Sequence, residues 1–92
     1  MIQAHDKPFR QRLVERMNVN CAFMNKEQFY IGEFDRGIRG YFTVDWRARM
    51  VEISPPSSLG KNVPIDCMVP ILGEMIDELE LAVETLNRKE LK

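Results

Sequence analysis

The chain has 92 residues, 45% apolar and 29% charged. That composition fits one globular domain spanning residues 1–92 and is too apolar for disorder. A formal net charge of −1 argues against a dedicated nucleic-acid binder, whose usual footprint is a strongly basic domain.

The charge is unevenly spread. Residues 1–49 carry nine Lys and Arg against six Asp and Glu, while residues 50–92 carry four against eight. A locally basic surface therefore remains open. A core of this size leaves roughly 3–5 kcal/mol of net stability, so burial of a second apolar face by self-association is expected. Cys21 and Cys67 are far apart and flanked by apolar residues. They are expected to be reduced and buried, acting as small hydrophobes rather than as a disulfide or a metal pair. Met1 to Arg10 has no apolar run of the kind a secretory signal needs. The longest apolar stretch, Met68 to Leu72, contains Pro70 and is far too short for a bilayer. A cytoplasmic location with no membrane partner is the expectation.

In chain order, Asp6 reads as the N-cap of a helix running to about Asn18, with Pro8 in its first turn. Phe9, Leu13 and Met17 form a narrow apolar stripe with Val14 beside it; Arg10, Arg12 and Arg16 lie off the stripe. From Val19 to Ser54 the period becomes two. Val19, Cys21 and Phe23 alternate with Asn20, Ala22 and Met24, and after a polar turn at Asn25 to Glu27 a second strand covers Gln28 to Phe34. Asp35-Arg36-Gly37 reads as a turn. The clearest alternation follows, with Ile38, Gly40, Phe42, Val44 and Trp46 on one face and Arg39, Tyr41, Thr43 and Asp45 on the other. Arg49 to Ser54 makes a fourth strand with Val51 and Ile53 inward. Four short strands with brief connections predict an antiparallel meander.

Ser54 to Asn62, with Pro55, Pro56 and Gly60, reads as a loop. The body of the last helix is placed at about 70–89, with an irregular turn from 65. Ile71, Leu72, Met75, Ile76, Leu79, Ala82, Val83 and Leu86 share its apolar face, while Glu74, Asp77, Glu78, Glu80, Glu84 and Asn87 share the other. Glu84 and Arg88 make a favourable i, i+4 pair. Leu81 projects from the acidic side.

Little in the chain points to catalysis. His5, the single histidine, sits near the N-terminus and reads as a solvated or capping residue. One histidine and two separated cysteines do not suggest a zinc site. Ser57 to Asn62 looks like the end of a phosphate-binding loop. However, Pro55 stands where its first glycine belongs, and Asn62 replaces the metal-binding hydroxyl. The acids of the last helix are the normal means of keeping an amphipathic helix in water. One candidate ligand face remains, with Arg39, Tyr41 and Thr43 on one strand flanked by Arg36 and Arg49. Arginine forks suit phosphates and tyrosine rings stack on bases.

The expected architecture is thus α+β: an N-terminal helix, a four-stranded antiparallel meander and a long C-terminal amphipathic helix packed on the sheet. That order occurs in many small bacterial and phage regulatory modules, and order alone carries no function. The expected role is non-enzymatic, that of an adaptor or inhibitor binding a macromolecular partner, with no metal or cofactor. Self-association as a homodimer is expected through Ile71, Met75, Ile76 and Leu81, because the wide helix stripe exceeds what four strands cover. The alternative is a small-ligand, nucleotide or nucleic-acid binding module using Arg36, Arg39, Tyr41, Thr43 and Arg49 on a phosphate-bearing ligand.

Overall fold

The computed structural model describes residues 2–33 and 39–90, with side chains at all of these but 32, 33, 39, 87, 89 and 90. After a 3₁₀ turn at Ala4–Asp6 come α1 (Lys7–Arg16), β1 (Asn18–Phe23), β2 (Lys26–Glu33), β3 (Arg39–Asp45), β4 (Met50–Ser57) and β5 (Gly60–Pro64). A one-turn helix α2 (Ile65–Met68), a 3₁₀ turn at Val69–Ile71 and α3 (Leu72–Glu90) complete the chain. The five strands form one antiparallel sheet in sequence order. The α+β class and the helix-covered meander are as expected. The strand number is not.

The fifth strand arises where the sequence reads as a loop. Pro55 and Pro56 lie in β4 beyond its last partner pair with β3, Tyr41↔Ser54, and within the register irregularity between β4 and β5. No ladder N–H is needed there, which is the position in which a strand tolerates proline. The chain turns at Ser58 and Leu59 and returns at Gly60, whose φ of +105° only glycine adopts readily. The segment resembling a phosphate loop is therefore a β-hairpin. The expected turn at Asp35-Arg36-Gly37 and the inward placement of Ile38 lie outside the described residues.

Register divides the sheet into two faces. Phe29, Phe42 and Ile53 align across β2, β3 and β4, and Val44, Val51 and Val63 across β3, β4 and β5. All six are buried. α1 covers β1 and β2, α3 covers β3 and β4, and α2 closes the end of β4 and β5. Leu13, Leu72, Met75, Leu79 and Val83 are fully buried from the helix side, and Ile65 and Met68 join them from α2. α1 ends at Arg16 because Met17 turns extended, its N–H donating to the Leu13 carbonyl at 2.8 Å.

Two expectations about single residues are corrected here. Asp6 occupies the N-cap position, yet its carboxylate makes no cap hydrogen bond. Cys21 and Cys67 are both exposed rather than buried. β1 lies at the edge of the sheet, where all six of its residues are exposed, and α2 spends Ile65 and Met68 inward, leaving Cys67 outside.

Candidate functional site

Of the expected ligand residues, Tyr41 and Thr43 lie on the open face of the sheet, opposite the helices. The Tyr41 ring packs against Tyr30 with centroids 5.0 Å apart. Gln28 Nε2 donates to Thr43 Oγ1 at 3.3 Å, and Asn20 Nδ2 donates in turn to Gln28 Oε1, giving a polar row across three strands. Arg39 belongs to β3 and pairs with Glu33 in register, but its side chain is outside the description, and Arg36 lies outside the described residues altogether.

Arg49 does not belong to this face. Its Nε and Nη2 donate to the two carboxylate oxygens of Asp6 at 3.1 and 2.9 Å, and Nη1 and Nη2 donate to those of Asp66 at 2.8 and 2.7 Å. The guanidinium holds both carboxyls below the usual aspartate range, and the two acids raise the arginine in return. Arg49 sits at φ +57°, and the double pair fixes it there. It ties the N-terminal 3₁₀ turn and α2 to the β3–β4 turn and has no fork left for a ligand.

Arg10 and Arg12 are engaged in a similar way. Arg10 Nε and Nη2 donate to Glu27 at 2.7 and 2.9 Å, and Trp46 Nε1 donates to the same buried carboxylate at 3.0 Å. Glu27 is held below its ordinary range, chiefly by the Arg10 hydrogen bonds. Arg12 Nη1 donates to the Val69 carbonyl at 2.8 Å. Among the described side chains, Arg10, Arg12 and Arg49 are thus spent on fastening α1 and the turns. Among the described residues the open face carries Lys26 beside Asp45, with Glu52 opposite Thr43, charges of both signs.

The four expected interface residues do not form one surface. Met75 and Ile76 are buried within the chain and Ile71 is half-buried. Val63 of the unexpected fifth strand and Ile65 and Met68 of α2, where only an irregular turn was expected, join the same buried core. Leu81 is 60% exposed and lines a groove of about 610 Å³ between α3 and the β4–β5 hairpin, with Pro55, Pro56 and Leu86.

The surface that sequence reasoning missed is at the opposite end. β1 and β2 are joined by a two-residue loop, Met24 and Asn25, closed by the pair Phe23↔Lys26. Met24 is 98% exposed, with φ +55°. A tight hairpin normally puts Gly, Asn or Asp in that conformation. A bulky side chain there costs of order 1–3 kcal/mol, and this one recovers nothing by burial. Phe23 is half-exposed beside it, and Val19 is half-exposed toward the far end of the same strand. Met24 also stands between two hollows, one of about 440 Å³ with Phe23, Asp45, Arg47 and Ala48, the other of about 290 Å³ with Ile2, Arg10, Ala22 and Trp46. Asp45 Oδ1 shapes the first by accepting the N–H groups of Arg47 and Ala48 at 3.1 and 3.0 Å. The sequence carries no signal for it. Met24 reads as the last residue of the strand alternation and the turn as Asn25 to Glu27, one residue later than the Met24-Asn25 loop observed.

Among the described residues no group of three or more His, Cys, Asp and Glu comes together as a metal site, and no helix is long and apolar enough to cross a membrane. The chain matches no known family model, no curated protein and no solved structure.

Proposed function

We propose that the chain is a non-enzymatic interaction protein, an adaptor or inhibitor, which docks a macromolecular partner on β1 and the β1–β2 hairpin. One observation carries this reading: an almost wholly exposed methionine held in a strained backbone conformation at the hairpin tip. Strain maintained where folding gains nothing from it points to a function. The strand leading to Met24, Asn18–Phe23, contains no charge and no proline, two of the usual protections of a sheet edge. Its one blunting feature is the register irregularity between Val19 and Cys21. Methionine and aromatic residues are enriched in the cores of protein interfaces. The non-enzymatic part is supported by the buried acids: Asp6 and Glu27 are both saturated by arginine.

The test is comparative capture. Wild-type bait and a Met24→Asn, Phe23→Ser bait are exposed to the native extract, and each captured protein is re-tested as a purified component. A partner held by the wild type and lost by the double variant is the expected result. Identical captured sets would remove the reading.

A second reading, a ligand or nucleic-acid module, is favoured by the Tyr30–Tyr41 pair on the open face. With Arg49 committed to Asp6 and Asp66, it keeps stacking but loses a phosphate fork. Binding of an oligonucleotide that weakens steeply with added salt is what it requires.

A further inference from the structure

We infer that the partner on this surface is a second copy of the same chain. The two hairpin tips pack about a two-fold axis, with Met24 of each copy seated in the hollow beside Met24 of the other. The inference rests on the interaction reading above and names its partner.

A two-fold interface uses the same patch on both subunits, so the patch must carry a projection and a recess that accepts it. Both occur here at one end of the sheet, where the tip of the β1–β2 hairpin meets the β3–β4 turn. Met24 projects, and the hollow of about 440 Å³ opens directly beside it, walled by Phe23 and Ala48. An unbranched, polarisable methionine side chain adapts well to such a recess. The hollow is also lined by Lys26, Arg47 and Asp45. Both signs of charge are therefore present, and two-fold apposition brings a basic group of one copy toward Asp45 of the other. A patch of one sign would repel its own copy.

Size decides how far the contact extends. A stable dimer needs about 800 Å² from each chain, more than a hairpin tip offers. The adjoining surface is β1, whose six residues are all exposed and uncharged. The opposite edge of the sheet is different. β5 carries Lys61 and Pro64, features that discourage strand-to-strand contact. β1 has neither a charge nor a proline and is interrupted only by the irregularity between Val19 and Cys21, and this difference selects the β1 side.

Light scattering on the purified full chain at high micromolar concentration tests this. Wild type should give a mass near twice the 10.8 kDa of one chain, and Met24→Asn a mass near 10.8 kDa with unchanged circular dichroism. Asparagine tolerates the left-handed backbone, so this variant keeps the turn and removes only the knob; Phe23→Ser should act in the same direction. A wild-type mass near one chain overturns the second-copy inference. So does a dimer that Met24→Asn leaves intact, whether or not Leu81→Glu dissociates it. If the wild type is monomeric but captured partners still depend on Met24, the interaction reading stands and only the second copy falls.

Discussion

Arg49 donates to both carboxylate oxygens of Asp6, a residue 43 positions earlier in the chain. Asp6 is 2% exposed, so the pair closes the N-terminal turn onto the β3–β4 turn at a site that water barely reaches. Hydrogen bonds to charged groups contribute about 1.5–3 kcal/mol each when one partner is removed. Asp6→Ala is therefore expected to lower stability by about 2–3 kcal/mol in urea melts. Asp66→Ala should cost less, because Asp66 is exposed and screened. Equal losses for the two variants would contradict the geometry.

The same pairs set the acid limb of stability. Asp6, Asp66 and Glu27 are all held below their ordinary values, mainly by arginine hydrogen bonds. Unfolded carboxyls titrate near about 3.9 for Asp and about 4.3 for Glu, so below that range the unfolded chain binds protons that the folded chain still refuses. Stability from these groups is complete above about pH 5 and is lost as pH falls through the lowered folded values. Urea midpoints should be flat from neutral pH down to about 5 and drop steadily below 4. Removing Glu27 as Glu27→Gln should flatten the drop while lowering the plateau.

Gly40 illustrates a close approach between sheet and helix. A Cβ there would lie 3.2 Å from Val83 Cγ2 and 3.4 Å from the Ile31 side chain. Gly40→Ala should cost about 1–3 kcal/mol, the range for overpacking. Pairing it with Val83→Ala should recover part of that loss, a coupling that a double-mutant cycle reads directly. Additive losses would mean that the helix does not bear on this position.

Leu79 is fully buried at the centre of the α3 stripe. Leu79→Ala should cost about 2–5 kcal/mol in denaturant melts. By contrast, Leu81→Ala on the exposed side should stay within about half a kcal/mol of wild type.

What the residues alone determine here is whatever repeats locally. Of the stripe expected on the last helix, Leu72, Met75, Ile76, Leu79 and Val83 are buried, though Ile71 and Ala82 are half-buried and Leu86 is exposed. The β3 alternation of Gly40, Phe42 and Val44 is buried as its period of 2 requires, since one helix or strand presents its faces whatever lies opposite. The same holds for the Glu84–Arg88 pair at 2.7 Å, one turn apart. Other features depended on partners distant in sequence. Pro55 and Pro56 are strand residues because no neighbour needs their missing N–H groups, which is a matter of register. Asp6 and Arg49 look like a cap and a ligand fork until the fold brings them together and each satisfies the other. Cys21 and Met24 continue an apolar alternation, yet they sit exposed because β1 is the edge of the sheet and the loop turns through a left-handed residue. Periodicity reports which side of an element is apolar; only packing decides whether anything within the chain covers that side.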